Sequence, residues 1–450
     1  MDKEHLSNIW RIEMEIILPF GSESKKIEIN LPLSFRRVTE EQKSNILIAR
    51  SKNPSSNKRW SDVSGEVINN PIEAKPIRDN DLKGKRVAII TDDWGRPTPA
   101  SEVMPLILDE LKYTGVYDDD ITFITASGMH SPMSKADLER KLGKDIVAKY
   151  RCISHDGGDW DNLSFCGISP QGTPIWVNKY VAKADYKIAL GRIYLHEAYG
   201  YEGGYKMILP GVSGFDPITR DHSFNFSSNS IIGVHENPSR READEVGKIV
   251  GIDFLINVVV NAKGQPIKAF SGEPSLVHRS GIEYGDREVW GAEIGKKADV
   301  VIASSGSENV SESYDLSVLY LSTRAVKESG VIVCLTKNEM IFDPKDGKDS
   351  IDESLFNLNQ QDFQARLSSL SFSELFRLHE KRNWNLSERE LQYCIKSVRG
   401  EFYRRRTIYE IRKREVILTA DPNLAIQNVI AKKGLDIKII VLPECKTTLP

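Results

Sequence analysis

Val87-Ala88-Ile89-Ile90-Thr91, running into Asp92-Asp93-Trp94-Gly95-Arg96-Pro97-Thr98-Pro99, is the stretch on which the fold turns. A short apolar run reads as a strand, and the Gly/Pro-punctuated segment behind it reads as a loop. The pattern recurs twice. Ile121-Thr122-Phe123-Ile124-Thr125 leads into Ala126-Ser127-Gly128-Met129-His130, and Tyr186-Lys187-Ile188-Ala189-Leu190 into Gly191-Arg192-Ile193-Tyr194-Leu195-His196. From residue 86 such strands alternate with helical stretches, the signature of an α/β domain. Parallel α/β sheets bind ligands outside the carboxyl ends of their strands, so the three loops are expected to converge on one crevice.

Outward from this segment, helices are expected near 101–113 and 134–142, the second opened by a Ser134 cap with Asp137 three residues on. Trp10–Pro19 and Lys26–Leu31 read as a hairpin, and 51–81 as a polar connection. Phe254–Asn261 and Pro266–Phe270 suggest another hairpin. A second α/β unit is expected to start at Ala298–Ala303, with a helix over 315–328 and a strand at Val331–Leu335. Residues 350–415 read as charged and mostly helical, and Ile437–Leu442 as a last strand. The expected architecture is α/β, with two α/β domains and the active site in the cleft between them. The first domain is 1–275, cofactor-binding and carrying the catalytic histidines. The second is 290–450, closing over the substrate, with the boundary in 272–295.

Composition narrows the function classes. The 450 residues carry 61 Lys+Arg against 64 Asp+Glu, a net charge of -3, with no basic stripe suited to nucleic acid. Hydrophobic residues at 40% and charged residues at 28% suit a soluble enzyme. No apolar run spans a bilayer, and MDKEHLSNIW is not a signal peptide, so the expectation is a cytoplasmic protein without membrane partners. The five cysteines are scattered without a C-x-x-C pair, against a disulfide framework or a thiolate zinc site.

Common motifs fail on inspection. His196-Glu197-Ala198-Tyr199-Gly200 lacks the second histidine of a zinc-protease helix. Gly200-Tyr201-Glu202-Gly203-Gly204-Tyr205-Lys206 ends in Met207, where a phosphate loop needs Ser or Thr. Gly211-Val212-Ser213-Gly214-Phe215 misses the nucleophile elbow by one position. What remains is an unlike set: Asp93, Arg96, His130, His196, Lys206 and His222. Each alone has a bland explanation, as a turn cap, a solvated lysine or a satisfied loop histidine. Together they sit in or just after Gly-rich loops, where backbone can approach a ligand closely.

Asp93-x-x-Arg96-Pro97-Thr98-Pro99, Ser127-Gly128-Met129-His130, His196, Gly203-Gly204-x-Lys206-x-x-x-Pro210-Gly211 and His222 together resemble the nickel-dependent lactate racemase family. The resemblance runs from the opening hairpin to Leu442-Pro443 and is densest over 87–222. It implies a nickel-pincer nucleotide (nickel pyridinium-3,5-bisthiocarboxylic acid mononucleotide), covalently attached at Lys206 through a thioamide. His222 is then the protein's nickel ligand, Asp93 and Arg96 are cofactor and substrate contacts, and His130 and His196 are the catalytic acid–base residues. The implied reaction racemises or epimerises a 2-hydroxy acid. Hydride leaves Cα for the cofactor, a 2-oxo acid forms, and hydride returns to the opposite face. Imidazole suits both proton acceptance and donation near neutral pH, and nickel accepts nitrogen and sulfur donors. Cofactor-maturation enzymes are the implied partners.

Departures from the family pattern bear on the substrate. Lactate-acting members carry Gln-x-x-Lys where this chain has Leu321-Ser322-Thr323-Arg324, which makes Arg324 a candidate substrate contact. Glu202 and Tyr205 stand where family members have small residues, Glu197 follows His196, and Trp94-Gly95 replaces a threonine-containing pair between Asp93 and Arg96. Carboxylates facing the pocket would bind extra hydroxyls, so the expected substrate is larger and more polar than lactate, such as a sugar acid epimerised at C2. The alternatives are a lactate racemase proper, a zinc hydrolase built on His130, His196 and His222, and a non-catalytic cofactor-binding protein.

Overall fold

The computed structural model describes residues 11–20, 23–32, 46–96, 98–196, 198–224, 232–304, 312–335, 415–419, 422–433, 437–443, 445 and 448–450. Strands β1 (Arg11–Phe20) and β2 (Glu23–Pro32) form the expected antiparallel hairpin, and β3 (Ile46–Ile48) follows. Then come β4 (Val87–Asp92), β5 (Ile121–Ala126), β6 (Arg151–Ser154), the hairpin β7 (Leu163–Ile168) and β8 (Pro174–Asn178), and β9 (Tyr186–Ile193). The two-residue strands β10 (Leu195–His196) and β11 (Gly200–Tyr201) pair with each other, ahead of β12 (Phe254–Val260) and β13 (Pro266–Gly272). The chain ends through β14 (Ala298–Ser304), β15 (Val326–Leu335), β16 (Glu415–Thr419) and β17 (Ile439–Leu442).

Six of these strands make one sheet in the order β13-β12-β9-β4-β5-β6, parallel throughout except for β12 with β13. Alternation along the strands explains why it is buried on both faces. Val87 and Ile89 of β4 join Ile188, Leu190, Phe254 and Ile256 on one face, under the helices Trp60–Ile68, Ala100–Leu111 and Lys135–Leu142. Ala88, Ile90, Ala189 and Leu255 point to the other face, against Ile218, Val246 and Val277 of the helices Phe215–Phe224, Pro238–Val250 and Pro274–Gly285. The chain runs outward from β4 through β5 to β6, then returns to lay β9 on the other side of β4. The strand order therefore reverses between β4 and β9, and their carboxyl ends flank the place where such sheets open a ligand crevice.

A second sheet, β16-β15-β14-β17-β3, is parallel throughout. Its core joins Val300, Ile302, Val331 and Ile439 to Ile426, Val429 and Ile430 of the helix Pro422–Lys433. Two compact units follow from these sheets, and β3 takes the segment before residue 53 into the unit that also contains residues 290–335. The chain changes unit between Val289 and Trp290.

Several expectations are refined. The polar stretch 51–81 contains the helix Trp60–Ile68, whose Trp60, Val63 and Ile68 are buried. The 272–295 stretch contains the helix Pro274–Gly285, capped by Glu273, which accepts the Leu276 N–H. The helix expected over 315–328 spans Glu312–Ala325, and β15 begins at Val326. Ser134 and Asp137 form the expected capping box. Residues 350–414 lie outside the described residues. Among those described, no helix is long and apolar enough to cross a membrane.

Candidate active site

The loop after β4 is built around a buried ion pair. Asp92 Oδ1 accepts from Lys141 Nζ at 2.6 Å and Oδ2 from Thr98 Oγ1 at 2.6 Å. Lys141 also donates to the carbonyls of Asp93 and Arg96, at 2.9 and 3.0 Å, so one ammonium ties both ends of the turn to the helix Lys135–Leu142. Burial raises the Asp92 carboxyl, against the lowering pull of Lys141. Asp93, the next residue, meets the loop after β5 instead. Its Oδ1 accepts the Gly95 N–H at 3.1 Å and its Oδ2 lies 2.6 Å from Nδ1 of His130. His130 comes from the loop after β5, which the Gly128 N–H pins to the Gly211 carbonyl at 2.9 Å.

Arg96 points across to the β9 side. Its Nε lies 2.8 Å from Oε1 of Glu202, and Nε of Arg192 lies 2.5 Å from Oε2. Burial alone would raise the Glu202 carboxyl, but the two guanidiniums outweigh it and bring it down to about 2. A folded value below the ordinary 4.5 means that this carboxylate stabilises the fold above pH 4.5, and that the contribution fades as pH falls towards 2. Glu202→Gln is therefore expected to cost about 3 kcal/mol at neutral pH. The difference between wild type and variant in urea unfolding should shrink steadily from pH 5 to pH 3. A difference independent of pH over that range would show that the carboxylate charge is not what holds the two arginines.

His196 ends the strand pair β10–β11, opposite Gly200. Its Nδ1 accepts the backbone N–H groups of Ala198 and Tyr199, at 3.1 and 3.3 Å. Tyr199 is the hub of the site. Its buried ring makes edge contacts with the rings of His196 and His222, at centroid distances of 5.3 and 6.3 Å, and Nζ of Lys206 sits 4.1 Å from its centroid. The Tyr199 hydroxyl bonds to Asp221. Lys206 lies in the short turn Gly204–Met207, beneath which the buried Arg240 donates to the Tyr201 and Gly203 carbonyls. His222, on the helix Phe215–Phe224, places its Nδ1 2.8 Å from the Ile218 carbonyl. Against a carbonyl that nitrogen must carry the proton, which leaves the lone pair on Nε2, the form in which an imidazole ligates a metal.

The structure thus joins Asp93 to His130, Arg96 to Glu202, and Lys206, His196 and His222 to one tyrosine ring. Arg324 is half-buried in the last turn of the helix Glu312–Ala325, in the other compact unit, and Leu321 is fully buried there. Glu197 and Pro97 lie outside the described residues. Glu202, expected to read substrate hydroxyls, has an arginine against each of its oxygens. Tyr199, Lys141, Arg192 and Arg240 were missed. Only Tyr199 carried a local signal, its place between His196 and Gly200. Among the described residues no three His, Cys, Asp or Glu side chains form a metal-ligand group.

The largest sheet is a mainly parallel α/β sheet with polar side chains gathered at its switch point, and known proteins share this pattern. Residues 35–233 match the lactate racemase N-terminal domain. The lactate racemase of Thermoanaerobacterium thermosaccharolyticum is 29% identical over 323 residues, covering 71% of this chain and 73% of that protein. The lactate racemase of Lactiplantibacillus plantarum is 26% identical over 265 residues, covering 57% and 62%. Among solved structures, the lactate racemase apoprotein from T. thermosaccharolyticum superposes with a TM-score of 0.67 at 23% identity, over 97% of this chain and 99% of that one, a likeness of fold. The chain is thus similar to lactate racemases over most of its length, and its residues 35–233 match the N-terminal domain of that family.

Proposed function

We propose that this protein racemises or epimerises a 2-hydroxy acid, with a nickel-pincer nucleotide bound around Tyr199. The observation that carries the reading is the placement of Lys206 and His222 against the same buried ring. The donor set fits the group. Lys206 offers an amine on a half-buried Gly-rich turn, and His222 is held in the tautomer whose Nε2 can ligate a metal. Lys206 would hold the cofactor through Nζ, and His222 would hold nickel through Nε2. When bound, the group supplies an electron-poor centre able to accept hydride from Cα.

The chain's own residues do the rest. Arg96, whose Nε lies against Glu202, would present its guanidinium to a substrate carboxylate. His130 and His196 exchange the hydroxyl proton, and Asp93 stabilises the imidazolium that forms on His130. No described cluster of ligands supports the zinc-hydrolase alternative. The case for an acid larger than lactate loses Glu202 as a support, so lactate belongs in the same chiral screen as longer and sugar-derived 2-hydroxy acids.

The test is intact mass and nickel content of the chain produced alongside cofactor-maturation enzymes. The expected result is an adduct mapping to Lys206 with roughly equimolar nickel. An unmodified, nickel-free chain, under conditions that load a known lactate racemase, would overturn the reading.

A further inference from the structure

His130 and His196 would do the same job with the roles exchanged if the pair were symmetric. Their surroundings are not symmetric. Nδ1 of His130 faces a carboxylate oxygen of Asp93 at 2.6 Å, an atom that only accepts. Nδ1 of His196 faces two backbone N–H groups, those of Ala198 and Tyr199, which only donate. A neutral imidazole has one protonated and one bare nitrogen, and the partner at the first settles the state of the second.

We infer that Asp93 and the Ala198 and Tyr199 amides hold the two histidines in opposite tautomers, His130 as a proton acceptor through Nε2 and His196 as a hydrogen-bond donor through Nε2–H. This deepens the racemase reading and rests on it for its chemistry. In the resting enzyme the substrate hydroxyl loses its proton to His130. The O–H bond breaks and an Nε2–H bond forms on His130; the bound cofactor would supply the acceptor for the hydride that leaves Cα. The product is the 2-oxo acid. His130 then carries a positive charge that Asp93 compensates. His196 in this form holds the substrate oxygen by a hydrogen bond from Nε2–H and keeps that proton; to accept the hydroxyl proton of the opposite enantiomer it must first move its own proton to Nδ1 and give up both amide bonds. Asp93 is a positioning residue for His130, a role beyond the cofactor or substrate contact expected of it.

The chain contains its own standards. His222 donates through Nδ1 to Ile218, whereas the buried His155 and His278 donate through Nε2 to the Ser213 and Glu202 carbonyls. Burial lowers His155 to about 4 and takes His278 well below the ordinary value, so both stay neutral.

The experiment uses the full-length, cofactor-free chain labelled with 15N-histidine. Long-range proton–nitrogen correlation is recorded about two units above the ordinary imidazole value of about 6.5, with His130→Gln and His196→Gln for assignment. The expected result is the His222-type pattern for His130 and the His155-type pattern for His196. Like tautomers at the two sites, or averaging at both, would overturn the inference. Asp93→Asn is expected to abolish the fixed pattern at His130 while leaving His196, His155 and His278 unmoved. An unchanged His130 in that variant would remove Asp93 from its role. Since no cofactor enters the measurement, a chain that never loads nickel would sink the functional reading and leave this result standing.

Discussion

His130→Ala is expected to slow turnover of the loaded enzyme by about 10²–10⁴-fold, the range carried by a positioned acid–base group. The loss should appear with either enantiomer, because each direction of an exchange passes through the same proton-transfer states. The side chain sits on a loop and is about one-third exposed (35%), so its removal opens no core cavity. Thermal stability and nickel content should therefore stay near wild type, which separates a chemical loss from a folding or loading loss. Initial rates by chiral chromatography measure the effect. Added imidazole should return part of the rate, since the truncated side chain leaves the Asp93 carboxylate in place to orient a free ring. A loss below about ten-fold, with nickel retained, would move the proton transfer to another group.

The parts of the site that were legible in the sequence share one property: their signals are local. A strand followed by a Gly/Pro-broken loop can be read within a dozen residues, and it placed Asp93, Arg96, His130 and His196 at strand ends. Ser134 and Asp137 announce a helix start over four residues, and the structure has it. What escaped depends on partners far apart in the chain. Lys141 meets Asp92 across 49 positions, and Arg240 reaches the Tyr201 and Gly203 carbonyls from the helix Pro238–Val250. Neither residue type is expected inside a core unless paired, so periodicity assigns both to solvent. The same blindness led to the reading of Glu202 as a free pocket carboxylate, for the two arginines that claim it come from different strand ends. The helix Trp60–Ile68 was hidden by its flanks. Its buried Trp60, Val63 and Ile68 are too few to stand out from the polar residues around them.

Gly200→Ala is expected to destabilise the protein by more than about 4 kcal/mol, in the class of severe single substitutions. Gly200 has φ +75, a left-handed conformation that costs an L-residue roughly 1–2 kcal/mol. Strain is the smaller part. A Cβ there would lie 2.0 Å from the Val234 carbonyl oxygen and 2.7 Å from its carbon, and these are backbone atoms with no rotamer to yield. The Gly200 carbonyl also accepts the Gly233 N–H at 3.1 Å, so the two segments cannot separate without losing that bond. Gly84→Ala supplies the control. Its φ is +68 but nothing lies within 4 Å of the added carbon, so it should show only the conformational cost of about 1 kcal/mol. The difference between the two variants in urea unfolding isolates the collision. Function should follow, because Gly200 is the strand partner of His196. Forcing β10 and β11 away from Val234 would disturb the turn that aims the Ala198 and Tyr199 amides at the His196 ring, and any Gly200→Ala protein that remains folded should lose the fixed His196 tautomer. Equal stabilities for the two alanine variants would mean that the 232–234 segment moves aside cheaply, and that the His196 turn is held from elsewhere.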